Sequence, residues 1–144
     1  MTVIADSTAL ILLAKVSILE IFTKRNNVAI SKVVYEEVVK GKEVGRSDSF
    51  LVEKLVYEGK LKIKAPNIST KNRIQRLFNL KGGELETISL AYKTKHVILS
   101  DDKKCLNVAR ALGIDFMISL DVIVAFSKKN LISKEKALTS IDEL

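Results

Sequence analysis

His96-Val97-Ile98-Leu99-Ser100-Asp101-Asp102 is the stretch on which the reading of this fold turns. A short, apolar run closes on a hydroxyl and two carboxylates. Near the amino terminus Val3-Ile4-Ala5-Asp6-Ser7 does the same. Neither run has helical periodicity, so both are expected to be buried strands. In an open parallel sheet, ligands bind in the crevice beyond the carboxyl ends of the strands. Carboxylates gathered there repel one another unless a cation lies between them.

Working outward, Thr2 to Asp6 is the first strand, and Ser7-Thr8 opens a helix through Lys15. A short helix is expected from Ser17 to Lys24, then a turn at Asn26-Asn27 and a strand at Val28-Ala29-Ile30. Ser31 is placed as the N-cap of a helix from Lys32 to Lys40 ending at Gly41, with Val34, Val38 and Tyr35 facing inward. Ser47 or Asp48 caps a helix to Tyr57, and Leu61 to Ala65 alternates as a half-exposed strand. Pro66 begins a connection to a helix carrying Ile74, Leu77 and Phe78. Gly82-Gly83 breaks the chain before a helix from Glu84 to Lys95. After the His96 to Ser100 strand come a helix from Lys103 to Leu112, a strand from Asp115 to Ile118, and helices from Leu120 to Lys129 and Ser133 to Ile141. Strands alternating with helices predict an α/β fold, a parallel sheet covered on both faces through right-handed crossovers. Residues 1–144 are read as one domain, with no repeat or long linker.

The composition, 47% hydrophobic and 28% charged, is that of a globular protein. Its longest apolar stretch, Ala9 to Ala14, is far short of the roughly 20 residues a membrane span needs. No signal peptide is read at the amino terminus. One cysteine, Cys105, excludes an internal disulfide and fits a reducing cytoplasm. One Cys and one His argue against a four-ligand zinc site. The net charge of +7 favours polyanionic partners. Between Lys60 and Lys81 stand Lys62, Lys64, Lys71, Arg73 and Arg76, with no acid among them. This is either a solvated surface or a flank for phosphates.

Asp6 and the Asp101-Asp102 pair precede helices, so each has a capping reading beside the functional one. Two adjacent acids exceed what a single cap requires. Glu36 and Glu37 point about 100° apart on their helix, so at most one faces a shared site. Glu36 stands one turn before Lys40, an exposed pairing, which favours Glu37 as the inward member. Glu84 and Glu86 lie in the first turns of their helix, where the helix dipole alone would accommodate either. Clusters made only of acids suit a hard cation such as Mg²⁺ or Mn²⁺.

Val-Ile-Ala-Asp-Ser-Thr-Ala-Leu-Ile-Leu-Leu-Ala-Lys from Val3, then Ile30-Ser31-Lys32-Val33-Val34-Tyr35-Glu36-Glu37-Val38-Val39, resembles PIN-domain proteins. Gly82-Gly83-Glu84-Leu85-Glu86-Thr87-Ile88-Ser89-Leu90-Ala91 and Ile98-Leu99-Ser100-Asp101-Asp102-Lys103-Lys104 extend the resemblance to a prokaryotic PIN-like subgroup. It runs from Val3 to about Ile123. The resemblance implies a three-layer αβα sandwich, with a central parallel sheet of four to five short strands and about seven helices. It implies a divalent-metal-dependent ribonuclease, the toxin of a toxin–antitoxin pair, using Mg²⁺ or Mn²⁺. Carried over, Asp6, Glu37, Glu86 and Asp102 are the catalytic acids. Asp6, Asp102, Glu86 and Asp101 would be metal ligands, with Ser7, Glu84 and Ser100 supporting. Glu84 against Glu86, and Asp101 against Asp102, stay open as the leading members. Cys105-Leu106 stands where the subgroup often has Ala-Arg, so no arginine role is carried over.

RNA, a small antitoxin and a second copy of the chain are the implied partners. Lys62, Lys64, Lys71, Arg73 and Arg76 would contact the RNA backbone. Val122, Ile123, Phe126, Leu131 and Ile132 either face a dimer partner or belong to the core. A non-catalytic RNA- or protein-binding module on the same fold is the rival reading. A receiver domain would want its acidic pair at the first strand, whereas here the pair is late. Paired-histidine chemistry fails because His96 is alone, and no Gly-x-Ser-x-Gly elbow supports a serine hydrolase.

Overall fold

The computed structural model describes residues 1–40 and 46–144, with position 46 described by its backbone alone. The expected helix stop at Gly41 therefore lies outside the described residues. Five strands form one parallel sheet: β1 (Val3–Ala5), β2 (Val28–Ser31), β3 (Leu61–Lys64), β4 (Val97–Leu99) and β5 (Phe116–Met117). Their order is β3-β2-β1-β4-β5, so the chain reverses its direction of travel between β1 and β4. Between and after the strands run α1 (Ser7–Lys15), α2 (Leu19–Arg25), α3 (Lys32–Lys40), α4 (Arg46–Tyr57), α5 (Ile68–Phe78), α6 (Gly82–Ala91), α7 (Lys103–Ala111), α8 (Ser119–Lys128) and α9 (Lys134–Asp142). The fold is PIN-like. Nine helices among the described residues exceed the seven that the resemblance implied.

Alternation along each strand builds the layers. Val3, Ala5, Val28, Ile30 and Leu99 face one core, shared with α1 through α4 and α8. Ile4, Ala29 and Ile98 face the other, under α5, α6 and α7. Successive side chains of a strand point to opposite faces, so each short strand contributes to both cores. Both faces being covered explains why the runs are apolar throughout. Val122, Ile123 and Phe126 are buried in the first core, and Leu131 and Ile132 pack half-buried against it. Their apolar surface is thus used within the chain rather than presented to a dimer partner. Among the described residues no helix is long and apolar enough to cross a membrane.

Several boundaries moved for local reasons. Ser17 adopts a left-handed conformation at φ 61°, which no helix interior allows, so α2 begins at Leu19. Ser31 does cap α3, its hydroxyl accepting from Val34 N at 3.0 Å. The glycines 82 and 83 do not break the chain before α6 but form its first turn. The helix ends at Ala91, with Tyr92 extended, four residues short of the expected Lys95. Leu77 of α5 and Phe50 of α4 are exposed, while Ile74, Val52 and Leu55 supply the buried contacts of those helices.

Candidate functional site

The reversal of chain direction between β1 and β4 leaves a crevice at their carboxyl ends. Ala5 pairs with Leu99, and the chain continues in register as Asp6 N donates to Leu99 O at 3.0 Å. The first acid is therefore delivered beside Ser100. The Ser100 hydroxyl donates to Asp6 Oδ2 and accepts from Asp102 N at 3.0 Å. Thr8 Oγ1 donates to Asp6 Oδ1 at 2.7 Å and accepts from Asp101 N at 3.1 Å. Two hydroxyls thus tie the loop after β1 to the loop after β4. Asp6 Oδ1 also accepts from Ala9 N at 3.1 Å, capping α1. Asp102 caps α7 in the same way, accepting from Cys105 N at 2.8 Å.

Both aspartates are helix caps and both also line one pocket of about 440 Å³, together with Glu37 and Glu84. The capping and functional readings turn out to be compatible, because a carboxylate has more acceptor positions than a cap uses. Glu37 reaches over the first turn of α6. A Cβ placed on Gly83 would lie 2.1 Å from Glu37 Oε1, so only glycine leaves room for that carboxylate. Ser7, Thr8, Gly82 and the ammonium-bearing Lys81 and Lys104 complete the lining.

Asp6, Glu37 and Glu84 are all raised in proton affinity. Burial pushes the Asp6 carboxyl up, against hydrogen bonds from Ser100, Thr8 and Ala9, and the Asp102 charge pushes it further up. Glu37 is raised by burial and by the charge of Asp6. Glu84 is raised by burial first, then by the Asp102 charge, a hydrogen bond with Asp102 that favours the proton, and the Asp6 charge, while Lys104 opposes. Each of these three is held above its ordinary range, and acidic neighbours contribute in every case. The Cys105 thiol is pushed up to about 12, mainly by burial, which leaves it no role as a thiolate.

Among the residues expected from the sequence, Asp6, Glu37, Asp102, Ser7 and Glu84 line the pocket, and Ser100 holds two of them from behind. Glu86 and Asp101 are placed elsewhere. Glu86 is two positions from Glu84, about 200° around the helix, so one faces the pocket only if the other faces away. Its carboxylate is buried and pairs with Lys71 Nζ at 3.6 Å. Asp101 turns to α8, where it accepts from Ser119 N at 3.0 Å and from the Ser119 hydroxyl. Lys62, Lys64, Lys71, Arg73 and Arg76 lie on β3 and α5, outside the pocket lining. Of the cations that do line it, Lys81 closes the basic stretch read from the sequence as a flank for phosphates, whereas Lys104, Thr8 and Gly83 carry no site role in that reading. Thr8 was detectable as a hydroxyl two residues beyond a capping aspartate, a common local bonding pattern. His96 enters β4 from the end opposite Ser100, remote from these acids.

Oxygen donors without sulfur or imidazole suit Mg²⁺ or Mn²⁺ in kind. Among the described residues no three ligand side chains already form a cation cage. Mg²⁺ keeps several waters and takes only one or two carboxylates beside substrate phosphates, so such a cage is not required. Mutual repulsion among acids is what a divalent ion would relieve.

The family profile described as DUF3368, PIN domain, matches residues 2–144. Over 78 residues the chain is 32% identical to Endoribonuclease Nob1 of Pyrococcus abyssi, covering 49% of this chain and 48% of that protein. The chain thus spans about half the length of the curated relative it matches. In fold it is similar to VapBC2 from Rickettsia felis, whose structure was solved with a DNA fragment from the promoter. That match has a TM-score of 0.58 at 13% identity, covering 82% of this chain and 98% of that one. VapBC-1 from nontypeable Haemophilus influenzae gives a TM-score of 0.57 at 17% identity, covering 83% and 98%. At such identities the likeness is one of fold.

Proposed function

The chain belongs to the PIN-domain family, and we propose that it is a divalent-metal-dependent ribonuclease acting at the acid pocket. The observation that carries this is the convergence of Asp6, Glu37, Glu84 and Asp102 from four separate parts of the chain on one crevice. Asp6 and Asp102 would hold Mg²⁺ or Mn²⁺, with Glu37 and Glu84 positioning water around it. Bound there, the ion neutralises charge on the scissile phosphate and lowers the pKa of water.

The protein's own part is orientation. Thr8, Ser100 and the α1 amide of Ala9 fix Asp6 in one rotamer. The α7 amide of Cys105 does the same for Asp102. Gly83 lets Glu37 approach, and Lys81 and Lys104 offset negative charge at the rim, where an RNA phosphate would enter. Glu84 lines the pocket beside Asp102, its proton affinity raised by burial and by the Asp102 charge. The basic residues of β3 and α5 would add salt-sensitive, sequence-independent contacts.

The test is cleavage of single-stranded RNA in Mn²⁺ and Mg²⁺ by the wild type and by Asp6→Asn. Asn is as good a cap as Asp, so the fold is retained while the charge is removed. Equal cleavage by both proteins sinks the assignment. RNA binding without cleavage in either ion would instead make the chain a non-catalytic binding module. The toxin role, with a small antitoxin as partner, belongs to the same proposal, as does a dimer of this chain. Co-expression with the product of a neighbouring gene should then yield a complex in which cleavage is suppressed.

A further inference from the structure

Asp102 and Lys104 line a second depression as well as the acid pocket. It has a volume of about 620 Å³ and runs from Asp102 along α7 to the last residue of α5, Phe78. Lys103, Lys104, Asn107, Val108 and Ala111 form one stripe of α7, since residues three and four apart share a helix face. Val108, Ala111 and the half-buried Phe78 ring make an apolar floor. Lys103 and Asn107 stand exposed at its edge. Arg110 Nη1 donates to Asn107 Oδ1 at 3.2 Å, so the amide oxygen is engaged and its N–H groups are the donors left to offer a ligand.

We propose that this groove seats one unpaired nucleobase of the RNA strand whose phosphate lies at the acid pocket, an inference that rests on the ribonuclease reading. The groove shares Asp102 and Lys104 with the acid pocket, so a strand with its phosphate at the acids would carry a neighbouring base across the α7 stripe. An aromatic ring, an amide donor and flanking ammonium groups match the three parts of a nucleotide. The base stacks on Phe78, its edge accepts from Asn107, and the adjoining phosphate meets Lys103. Single-stranded RNA is recognised through such stacking and edge contacts, while cations bind the backbone. Phe78 and Asn107 therefore set base preference, and neither touches the reacting atoms.

The experiment titrates a fluorescein-labelled RNA decamer by anisotropy with Ca²⁺ in place of Mg²⁺, so that the strand stays intact, and follows cleavage of the same decamer separately in Mg²⁺. Variants of the decamer carry a single abasic riboside at each position in turn. For the wild type, one position should stand out, with its abasic form binding roughly 5- to 150-fold more weakly, the range for loss of one stacked base. Phe78→Tyr keeps that difference. Phe78→Leu, which retains apolar volume without the ring, reduces it several-fold. Asn107→Ala, at an exposed position with no core contact, lessens discrimination among bases at that position. Equal penalties at all positions, or an unchanged penalty in Phe78→Leu, overturn the base subsite while leaving metal-dependent cleavage standing. Failure of the wild type either to bind or to cleave the intact decamer overturns the ribonuclease reading, and the subsite with it.

Discussion

Replacing Gly83 with alanine should disable the site while barely changing stability. The new Cβ would lie 2.1 Å from Glu37 Oε1, whereas ordinary contact begins at 3.4 Å, so the carboxylate must retreat by about 1.3 Å. Val34 Cγ2, at 3.1 Å, need give only a few tenths of an ångström. The clashing atom is the tip of a flexible side chain, and Gly83 lacks the positive φ of Gly82. The backbone therefore stays in place. Forcing Glu37 off its rotamer costs about 0.5–1.5 kcal/mol, and replacing helical Gly by Ala recovers roughly 0.5–1 kcal/mol. Net stability by urea unfolding should stay within about 1 kcal/mol of wild type. Misplacing a positioned group by about 1 Å can cost on the order of 100-fold in rate, and that is the expected loss in Mn²⁺-dependent RNA cleavage. In a Glu37→Ala background the same Gly83→Ala change should add nothing, since the clash is gone. Full cleavage by Gly83→Ala, or an equal further loss in the Glu37→Ala background, would refute the reasoning.

Asp6→Ala should lose about 0.5–2 kcal/mol by removing the α1 cap, whereas Asp6→Asn should unfold at nearly the wild-type denaturant concentration. Both should lose the rise in melting temperature that Mn²⁺ gives the wild type, about 2.7 kcal/mol of stabilisation at 100 times the Kd. In metal-free protein, Glu84 keeps its proton to higher pH when folded than when unfolded. Its stabilising share is then complete below the ordinary value of 4.5 and is lost as pH rises through the raised value. Glu84→Gln should accordingly gain on the wild type in urea midpoint as pH increases from 4.5 to 7, and a constant difference would contradict this. Lys71→Ala should destabilise by about 1–3 kcal/mol by leaving the buried Glu86 carboxylate unpaired, and Glu86→Gln in the same chain should restore most of it. If Lys71→Ala is no more destabilising than the exposed Arg73→Ala, the pairing has no structural role.

The strand–helix order was legible because the local chemistry agrees with itself. Apolar runs without helical period end at capping side chains, as at Asp6, Ser31 and Asp102. Asp6 and Asp102 were legible as site residues for the same reason, since a cap after a buried strand lies at the sheet's carboxyl edge. Glu84 and Glu86 were not separable. Gly83, Leu85, Glu86, Thr87, Ile88, Ser89 and Ala91 are all buried, so α6 has no polar face whose pattern would tell which glutamate points where. The count of about seven helices came from the resemblance alone, whereas the local signals along the chain had already placed the nine found among the described residues.

Sequence alone determined what each short segment becomes: which runs extend, which become helices, and that acids close the strands. These are local matters, decided within a few residues by backbone sterics and capping bonds. Tertiary structure alone decided which carboxylates meet. The rotation of α6 is set by packing against α3, α5 and α7. That rotation turns Glu84 to the crevice and Glu86 to Lys71, and the absence of a side chain at Gly83 lets Glu37 of a distant helix close over it. Convergence of residues far apart in the chain depends on how whole elements pack, and no local rule encodes that.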